Sequence, residues 1–369
     1  MLQMALFFLL FSAGYIGSNI YLYVRLMEQL AGMVSWLRTV VATLYWVVAS
    51  IFIFSMVART VDMPYPLSRA LFWIGSVWLI FVLYMALALA MVDLVRHFVP
   101  AFRWGFVVAL VVVVGVLTYG WVNARRTKTV RIDVVLDKPM AEPMTIVAIS
   151  DVHLGSGTGR EALRRYVEQI NSHEPDLVVI CGDLIDNSLL PVLKADMGEE
   201  LHRIKARYGV YAVPGNHEYI SGIEACERFF ATTPVTLLRD SVVMLPSGVQ
   251  LVGRDDRANK QRASLDELLS RCDMTRPVVV LDHQPFDLAE SNRRGVDVQF
   301  SGHTHNGQVF PLNLALKLMY EQPCGYRKWS HSHIYVSSGL SLWGPPFRIA
   351  TQGDMAVMRL RGVEPLTDK

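Results

Sequence analysis

The sequence predicts a chain of two parts: four membrane-spanning helices over residues 1–124, then an α/β domain over residues 125–369 whose sheets lie between helices. Three observations carry this. Apolar residues make up 52% of the 369, too many for an ordinary soluble chain of this length. Residues 1–124 hold only nine of the 68 Asp, Glu, Lys and Arg and no Lys, whereas 125–369 hold the other 59, about the density of a globular domain. Near residue 130 the long apolar runs give way to short ones. The uneven split excludes a disordered chain, a collagen-like or coiled-coil protein, and a single soluble enzyme. A net charge of +2 with no basic block points to no nucleic-acid partner.

Four uncharged runs fall at 1–24, 39–58, 70–92 and 104–124. Each is about long enough to cross ~30 Å of hydrocarbon at ~1.5 Å per residue. The joints between them are short and charged, with Pro64, Pro66 and Pro100 among them. No Lys or Arg precedes the first run and no A-x-A site follows it, so it reads as a span rather than a cleaved signal. None of the runs contains Asp, Glu, His, Lys or Arg, which leaves an ion pathway without support. Tyr21, Tyr23, Trp46, Trp73, Trp78 and Trp104 are read either as interfacial anchors or as packing residues. With both termini inside, the inner side carries Arg59, Arg69, Arg125, Arg126, Lys128 and Arg131, against Arg25, Arg38, Arg96 and Arg103 outside. That bias favours a globular part on the cytoplasmic side of the cell (inner) membrane.

Beyond the boundary, set within 124–129, strands are expected at 130–136, 144–149, 177–180, 210–213, 250–252, 278–281, 296–300 and 334–336. A helix over 160–171 turns Leu163, Val167 and Ile170 inward. Strands apolar on both faces need cover on both sides. The four cysteines (Cys181, Cys226, Cys272, Cys324) are widely spaced without C-x-x-C, and Cys181, inside an apolar strand, reads as a buried free thiol.

The chemistry-bearing residues fall just after strand ends. Asp151 and His153, Asp183, Asn216 and His217, His283, and His303 with His305 follow five separate strands, where α/β sheets form their crevices. Two Asp, one Asn and four His as ligands form a mixed oxygen and nitrogen set, suited to two divalent ions such as Mn, Fe or Zn rather than Ca or Mg. Gly182, Gly215 and Gly302 each precede a candidate ligand, where lack of a Cβ permits close approach.

The ordered blocks D-V-H at 151–153, G-D at 182–183, G-N-H-E at 215–218, His283 and G-H-T-H at 302–305 resemble the calcineurin-like metallophosphoesterases over about 145–356. With the leader, G-H-T-H-N-G-Q-V at 302–309 and Y-V-S-S-G-L at 335–340, the chain is similar to the membrane-anchored branch, transmembrane proteins with a metallophosphoesterase domain. Asn306 stands where relatives often have a second Gly. The resemblance implies an α/β four-layer sandwich of two mixed β-sheets flanked by helices. It implies that Asp151, His153 and His305 hold one metal, that Asn216, His283 and His303 hold the other, and that Asp183 bridges them. A hydroxide shared by the two ions would attack phosphorus in line, and His217 would protonate the departing oxygen, its tautomer fixed by Glu218 or another carboxylate. The implied activity is hydrolysis of a phosphodiester or pyrophosphate bond. The anchor points to a lipid-linked substrate, for which the resemblance offers UDP-2,3-diacylglucosamine, on the route to lipid A. A sensor or scaffold with a degenerate domain is the alternative.

Other features carry blander expectations. His97, His173 and His202 are surface or interfacial, and His331 and His333 belong to a surface or substrate-side loop. Gly155, Gly157 and Gly159 miss the dinucleotide fingerprint because Arg160 stands in the third position, and His217-Glu218 misses the zincin signature at Ser221. Asp255 and Asp256 read either as pocket-lining residues or, preferably, as a solvated turn, and Arg348 is weighed as a phosphate contact. Residues 125–369 carry 29 basic and 30 acidic side chains, which gives a nuclease channel no help.

Overall fold

The computed structural model describes residues 2–58 and 63–363; Arg59, counted above on the inner side, lies outside them. The chain divides into two compact units, 1–122 with 344–347, and 123–343 with 348–369.

In the first unit the apolar runs form α1 (Leu2–Gln29), α2 (Ser35–Ala58), α3 (Tyr65–Phe98) and α4 (Gly105–Asn123). Among the described residues three helices, not the expected four, are long and apolar enough to cross a membrane: Ser35–Met56, Pro66–Phe98 and Gly105–Asn123. The helix α1 carries Ser18, Asn19, Arg25 and three tyrosines along its apolar length. Its polar groups look inward. The buried Asn19 accepts from Trp78 Nε1 on α3 through its side chain (3.0 Å) and from Tyr45 Oη on α2 through its carbonyl (2.8 Å). Arg25 pairs with Asp93 of α3 at 2.5 Å. Polar contacts of this kind fix helix packing where a hydrophobic driving force is weak. Tyr23 and Trp46 meet in a tilted ring pair and Trp78 meets Tyr45 edge-on, as packing residues do.

The second unit contains twelve strands among its described residues: β1 (Thr127–Pro139), β2 (Met144–Ile149), β3 (Leu177–Cys181), β4 (Val210–Val213), β5 (Val235–Leu237), β6 (Ser241–Met244), β7 (Gln250–Gly253), β8 (Val278–Leu281), β9 (Val298–Ser301), β10 (Gly325–Trp329), β11 (Ser332–Val336) and β12 (Gly353–Val363). They form two mixed six-stranded sheets, ordered β1-β12-β2-β3-β4-β5 and β10-β11-β9-β8-β7-β6. Between the sheets, Ile146, Val179 and Met358 of the first pack against Leu251, Val279 and Phe300 of the second in one core. The other face of the first sheet is closed by α5 (Arg160–Asn171), whose Leu163, Val167 and Ile170 are buried as its periodicity predicts, together with Phe229 and Phe230. Leu265, Leu268 and Leu269 cover the second sheet. The result is helix, sheet, sheet, helix. Each fully buried Leu, Ile or Val contributes ~1.5–3 kcal/mol, so the central core is the main source of stability.

Four strands escape the sequence reading. The strand β12 inserts between β1 and β2, parallel to the first and antiparallel to the second. Its buried Met358 and Leu360 alternate with exposed Arg359 and Arg361, the period-two pattern of a half-covered strand. The strand β1 alternates in the same way, so this edge does not need the double-sided cover expected of all strands. β5, β6 and β10 are three to five residues long, too short to stand out. All four cysteines are free, with Cys181 buried.

Candidate metal centre

The adjacent parallel strands β2, β3 and β4 of one sheet, and β8 and β9 of the other, deliver their following loops to one place. Three groups form there with ligand atoms mutually within 4.8 Å: Asp151, His153 and His305; His153, Asp183 and His217; Asp183, His283 and His303. All seven residues expected as ligands, and His217, are brought into this region; Asn216 enters through its Oδ1, 3.3 Å from His283 Nε2.

Local backbone conformation sets the side chains. Asp151, His153, Asp183, His303 and His305 all have positive φ, between 48° and 73°, a region that costs of order 1–3 kcal/mol for a residue with a Cβ and clusters at functional sites. Gly182, at φ +82°, has no such penalty, and a Cβ there would lie 2.4 Å from His283 Nδ1. A Cβ on Gly302 would lie 2.4 Å from Asp151 Oδ2. The glycines leave the space that the ligands fill.

Tautomers follow from hydrogen bonds. His283 Nδ1 donates to the Cys181 carbonyl (2.7 Å), which turns Nε2 toward Asp183 Oδ2 at 3.1 Å and Asn216 Oδ1 at 3.3 Å. The two oxygens crowd that nitrogen, an arrangement that calls for positive charge between them, from a proton on His283 or from a bound cation. Burial alone would depress His283, but the Asp183 carboxylate outweighs it and holds the imidazole well above its usual range. On the other side His153 Nε2 and His305 Nε2 stand 3.0 Å apart, with Asp151 Oδ1 3.4 Å from His305. Burial pulls His305 down to about 4, leaving it neutral, as a ligand must be. Burial also lowers His303, and the charge on His283 adds to the effect. The buried Nδ1 atoms of His153 and His305 have no hydrogen-bond partner. Clustered carboxylates and converging imidazole nitrogens fit a bound divalent metal, which would replace the proton on His283.

Of the alternatives for the carboxylate beside His217, Glu218 is not the one that faces it. Fully buried at the third position of the helix Asn216–Ser221, it accepts from the backbone N–H groups of Gly215 (2.7 Å), Ile185 (2.9 Å) and Asp183 (3.0 Å), tying two ligand loops together. Burial, with the nearby Asp183 charge, pushes it up to about 7. The carboxylate that faces His217 is Asp186, its Oδ1 3.3 Å from His217 Nδ1 and 3.5 Å from His153 Nδ1. Burial alone would raise the Asp186 carboxyl, but these two imidazoles hold it below the usual carboxylate range. The same contact and the Asp183 charge raise His217 against the lowering effect of its burial. Asp186 was not singled out from the sequence; its signal was a second acid three residues after Asp183 on one loop.

Arg348 is no phosphate contact: buried, it donates to the carbonyls of His305, Gly339 and Ser341 and holds the His305 loop. Asp255 and Asp256 are buried rather than solvated. Asp255 accepts from Tyr219 and Arg239, and Asp256 from Gln284, next to His283. His333 bonds Tyr326 in the β10–β11 hairpin and joins none of the three groups.

Paired mixed sheets, with Asp and His gathered at their strand ends, define a candidate metal centre of the two-sheet phosphoesterase type. The family model described as calcineurin-like phosphoesterase matches residues 144–307. An "Uncharacterized metallophosphoesterase" of Helicobacter pylori strain J99 is 34% identical over 268 residues, covering 70% of each chain. A "Transmembrane protein with metallophosphoesterase domain" of Danio rerio is 32% identical over 274 residues, covering 69% of this chain and 62% of that one. The Bos taurus protein of the same description is 32% identical over 254 residues, covering 63% and 56%; the chain thus spans less than two thirds of both vertebrate relatives. The chain belongs to the calcineurin-like phosphoesterase family.

Proposed function

We propose that the protein is a membrane-anchored hydrolase of phosphodiester or pyrophosphate bonds that works with two divalent metal ions. The convergence of His283 Nε2, Asp183 Oδ2 and Asn216 Oδ1, with His283 Nδ1 already committed to a carbonyl, carries this reading. Asp151, His153 and His305 would hold one cation, and Asn216, His283 and His303 the other, with Asp183 shared. When bound, Mn, Fe or Zn would act as Lewis acids toward the phosphoryl oxygens and make water a better nucleophile. His217 presents Nδ1 to Asp186, which leaves Nε2 as the ring atom to hand a proton to the departing oxygen, a contribution of ~10²- to 10⁴-fold.

Full-length protein in detergent, supplied with manganese, is expected to hydrolyse a generic aryl phosphodiester, with Asp183→Asn slowing it at least ~100-fold. No turnover with any of the three metals, or turnover indifferent to Asp183→Asn, sinks the proposal and favours the scaffold alternative.

A lipid-linked substrate, such as a nucleotide-activated glycolipid of the UDP-2,3-diacylglucosamine kind, is supported by the chain just past His305. Phe310, Leu312, Leu314, Leu318 and Met319 are all exposed, Leu318 to 91%, and the helix Leu312–Met319 buries no side chain. Such apolar surface marks lipid or partner contact. Leu318→Ser with Met319→Ser is expected to raise KM for a bilayer-borne substrate and leave a soluble one unaffected; equal effects on both remove the lipid reading. We place the catalytic unit on the cytoplasmic side of the cell membrane, on the charge bias alone. A C-terminal reporter active only outside the cell overturns that placement.

A further inference from the structure

The second unit begins at Asn123, the last residue of α4, and α4 is long and apolar enough to cross a membrane. Three residues separate Asn123 from β1, so the strand starts within ~14 Å of the end of that helix. Asn123 is itself built into the unit. Its side-chain amide donates to the carbonyls of Arg348 (3.0 Å) and Thr351 (2.8 Å). That segment pairs in turn with the chain just past His305. Thr351 Oγ1 (2.6 Å) and the Ile349 N–H (3.1 Å) donate to the Gln308 carbonyl, and the Phe310 N–H donates to the Ile349 carbonyl (3.0 Å). The helix Leu312–Met319 starts four residues after Gln308, at most ~14 Å of chain. It therefore stands beside the point where a membrane-crossing helix ends.

Its chemistry suits that place. Leu312, Leu314, Leu318 and Met319 are all exposed. Trp343 is exposed as well, and the Gln308 side chain holds its backbone here, Nε2 donating to the carbonyl (3.0 Å) and Oε1 accepting from the N–H (2.8 Å). Leucine and tryptophan side by side are what the zone between head groups and acyl chains selects. The charges agree. Arg125, Arg126, Lys128 and Arg131 fall within 105–132 and Lys317 within 302–320, and neither stretch contains an Asp or Glu. Cations alone beside apolar side chains match an anionic lipid surface.

We infer that the helix Leu312–Met319, with Trp343, is a second, interfacial attachment of the catalytic unit to an anionic bilayer. The contact is made with the membrane itself and needs neither substrate nor metal, so it stands apart from the lipid-linked substrate considered above. A Cβ on Gly307 would lie 2.5 Å from the Asn313 nitrogen, so the ligand loop is seated directly on this helix. The attachment thereby fixes the loop of His303 and His305 at the level of the head groups.

The test uses full-length protein in nanodiscs of phosphatidylcholine and phosphatidylglycerol, without substrate. Leu318→Cys carries a bimane label. The control is Met244→Cys on β6, opposite Gln250, the first residue of β7, and so at the strand ends away from the metal loops. Both side chains are exposed, which leaves the core intact in either variant. The unsubstituted protein, labelled in parallel, gives the background from the half-buried Cys272 and Cys324. With brominated acyl chains, emission at 318 is expected to fall about twofold while emission at 244 stays constant. Phosphatidylcholine alone, or Lys317→Glu, should reduce the quenching at 318; quenching unmoved by either overturns the anionic preference. Equal emission at 318 in brominated and plain lipid overturns the attachment. So does a blue-shifted label at 318 that brominated lipid fails to quench, which would assign the cover to a second copy of the chain or to another protein. Asp183→Asn should be quenched as the parent is, so failure of the hydrolase reading and failure of this inference are read separately.

Discussion

His217 Nδ1 and Asp186 Oδ1 face each other at 3.3 Å, and the same oxygen lies 3.5 Å from His153 Nδ1. One carboxylate therefore lies beside both the proposed proton donor and a proposed metal ligand, where its charge acts on both rings. Asp186→Asn keeps the shape but loses the charge, and we expect kcat to fall ~10- to 100-fold with KM nearly unchanged. Steady-state kinetics of the two proteins at matched metal content check this; a rise in KM with constant kcat would show that Asp186 serves substrate binding instead.

Gly182 leads into Asp183 and lies under His283. Gly182→Ala combines a left-handed backbone with a Cβ 2.4 Å from the His283 ring. The expected outcome is loss of about one bound metal per chain and ~1–3 kcal/mol of stability. Metal stoichiometry by elemental analysis, with melting curves, reads both. A variant that keeps two metals would mean that the ring has room to move.

Metal removal should destabilise the fold, because like-charged carboxylates and opposed lone pairs are then left without a cation. A ligand present at 100 times its dissociation constant stabilises by ~2.7 kcal/mol. Chelation is therefore expected to lower Tm by several degrees, and manganese to restore it. An unchanged Tm would indicate that the site does not hold metal under those conditions.

Away from the site, the buried carboxylate of Glu200 receives Arg160, Arg164 and Arg203 at 2.8–2.9 Å. The Arg164 guanidinium first, then the other two, holds its pKa down to about 2 from an ordinary 4.5, against the opposing effect of burial. A depressed folded-state pKa gives stability that is present above about 4.5 and lost as pH falls toward 2. The arginines are partly exposed and screened, so Glu200→Gln should cost ~1–3 kcal/mol at pH 7 and little near pH 2. Equal destabilisation at both pH values, seen by denaturant titration, would assign the effect to packing rather than charge.

The sequence by itself determined which residues can be ligands, because a metal set depends on residue types placed after strand ends, and strand ends are legible wherever apolar runs stop at Gly, Asp or Asn. It also determined α5, whose Leu163, Val167 and Ile170 needed no partner to be recognised as one face. Tertiary structure alone decided the role of each acid. Asp186, Glu218, Asp255 and Asp256 look alike in the chain, but one faces imidazoles, one gathers backbone donors, and two are buried supports, since their partners come from loops 28 or more residues away. The same holds for β12, whose place between β1 and β2 is set by a pairing across more than 200 residues, and for Arg254 and Arg262. Their convergence on Asp282 depends on two neighbouring strand ends, which no local pattern records.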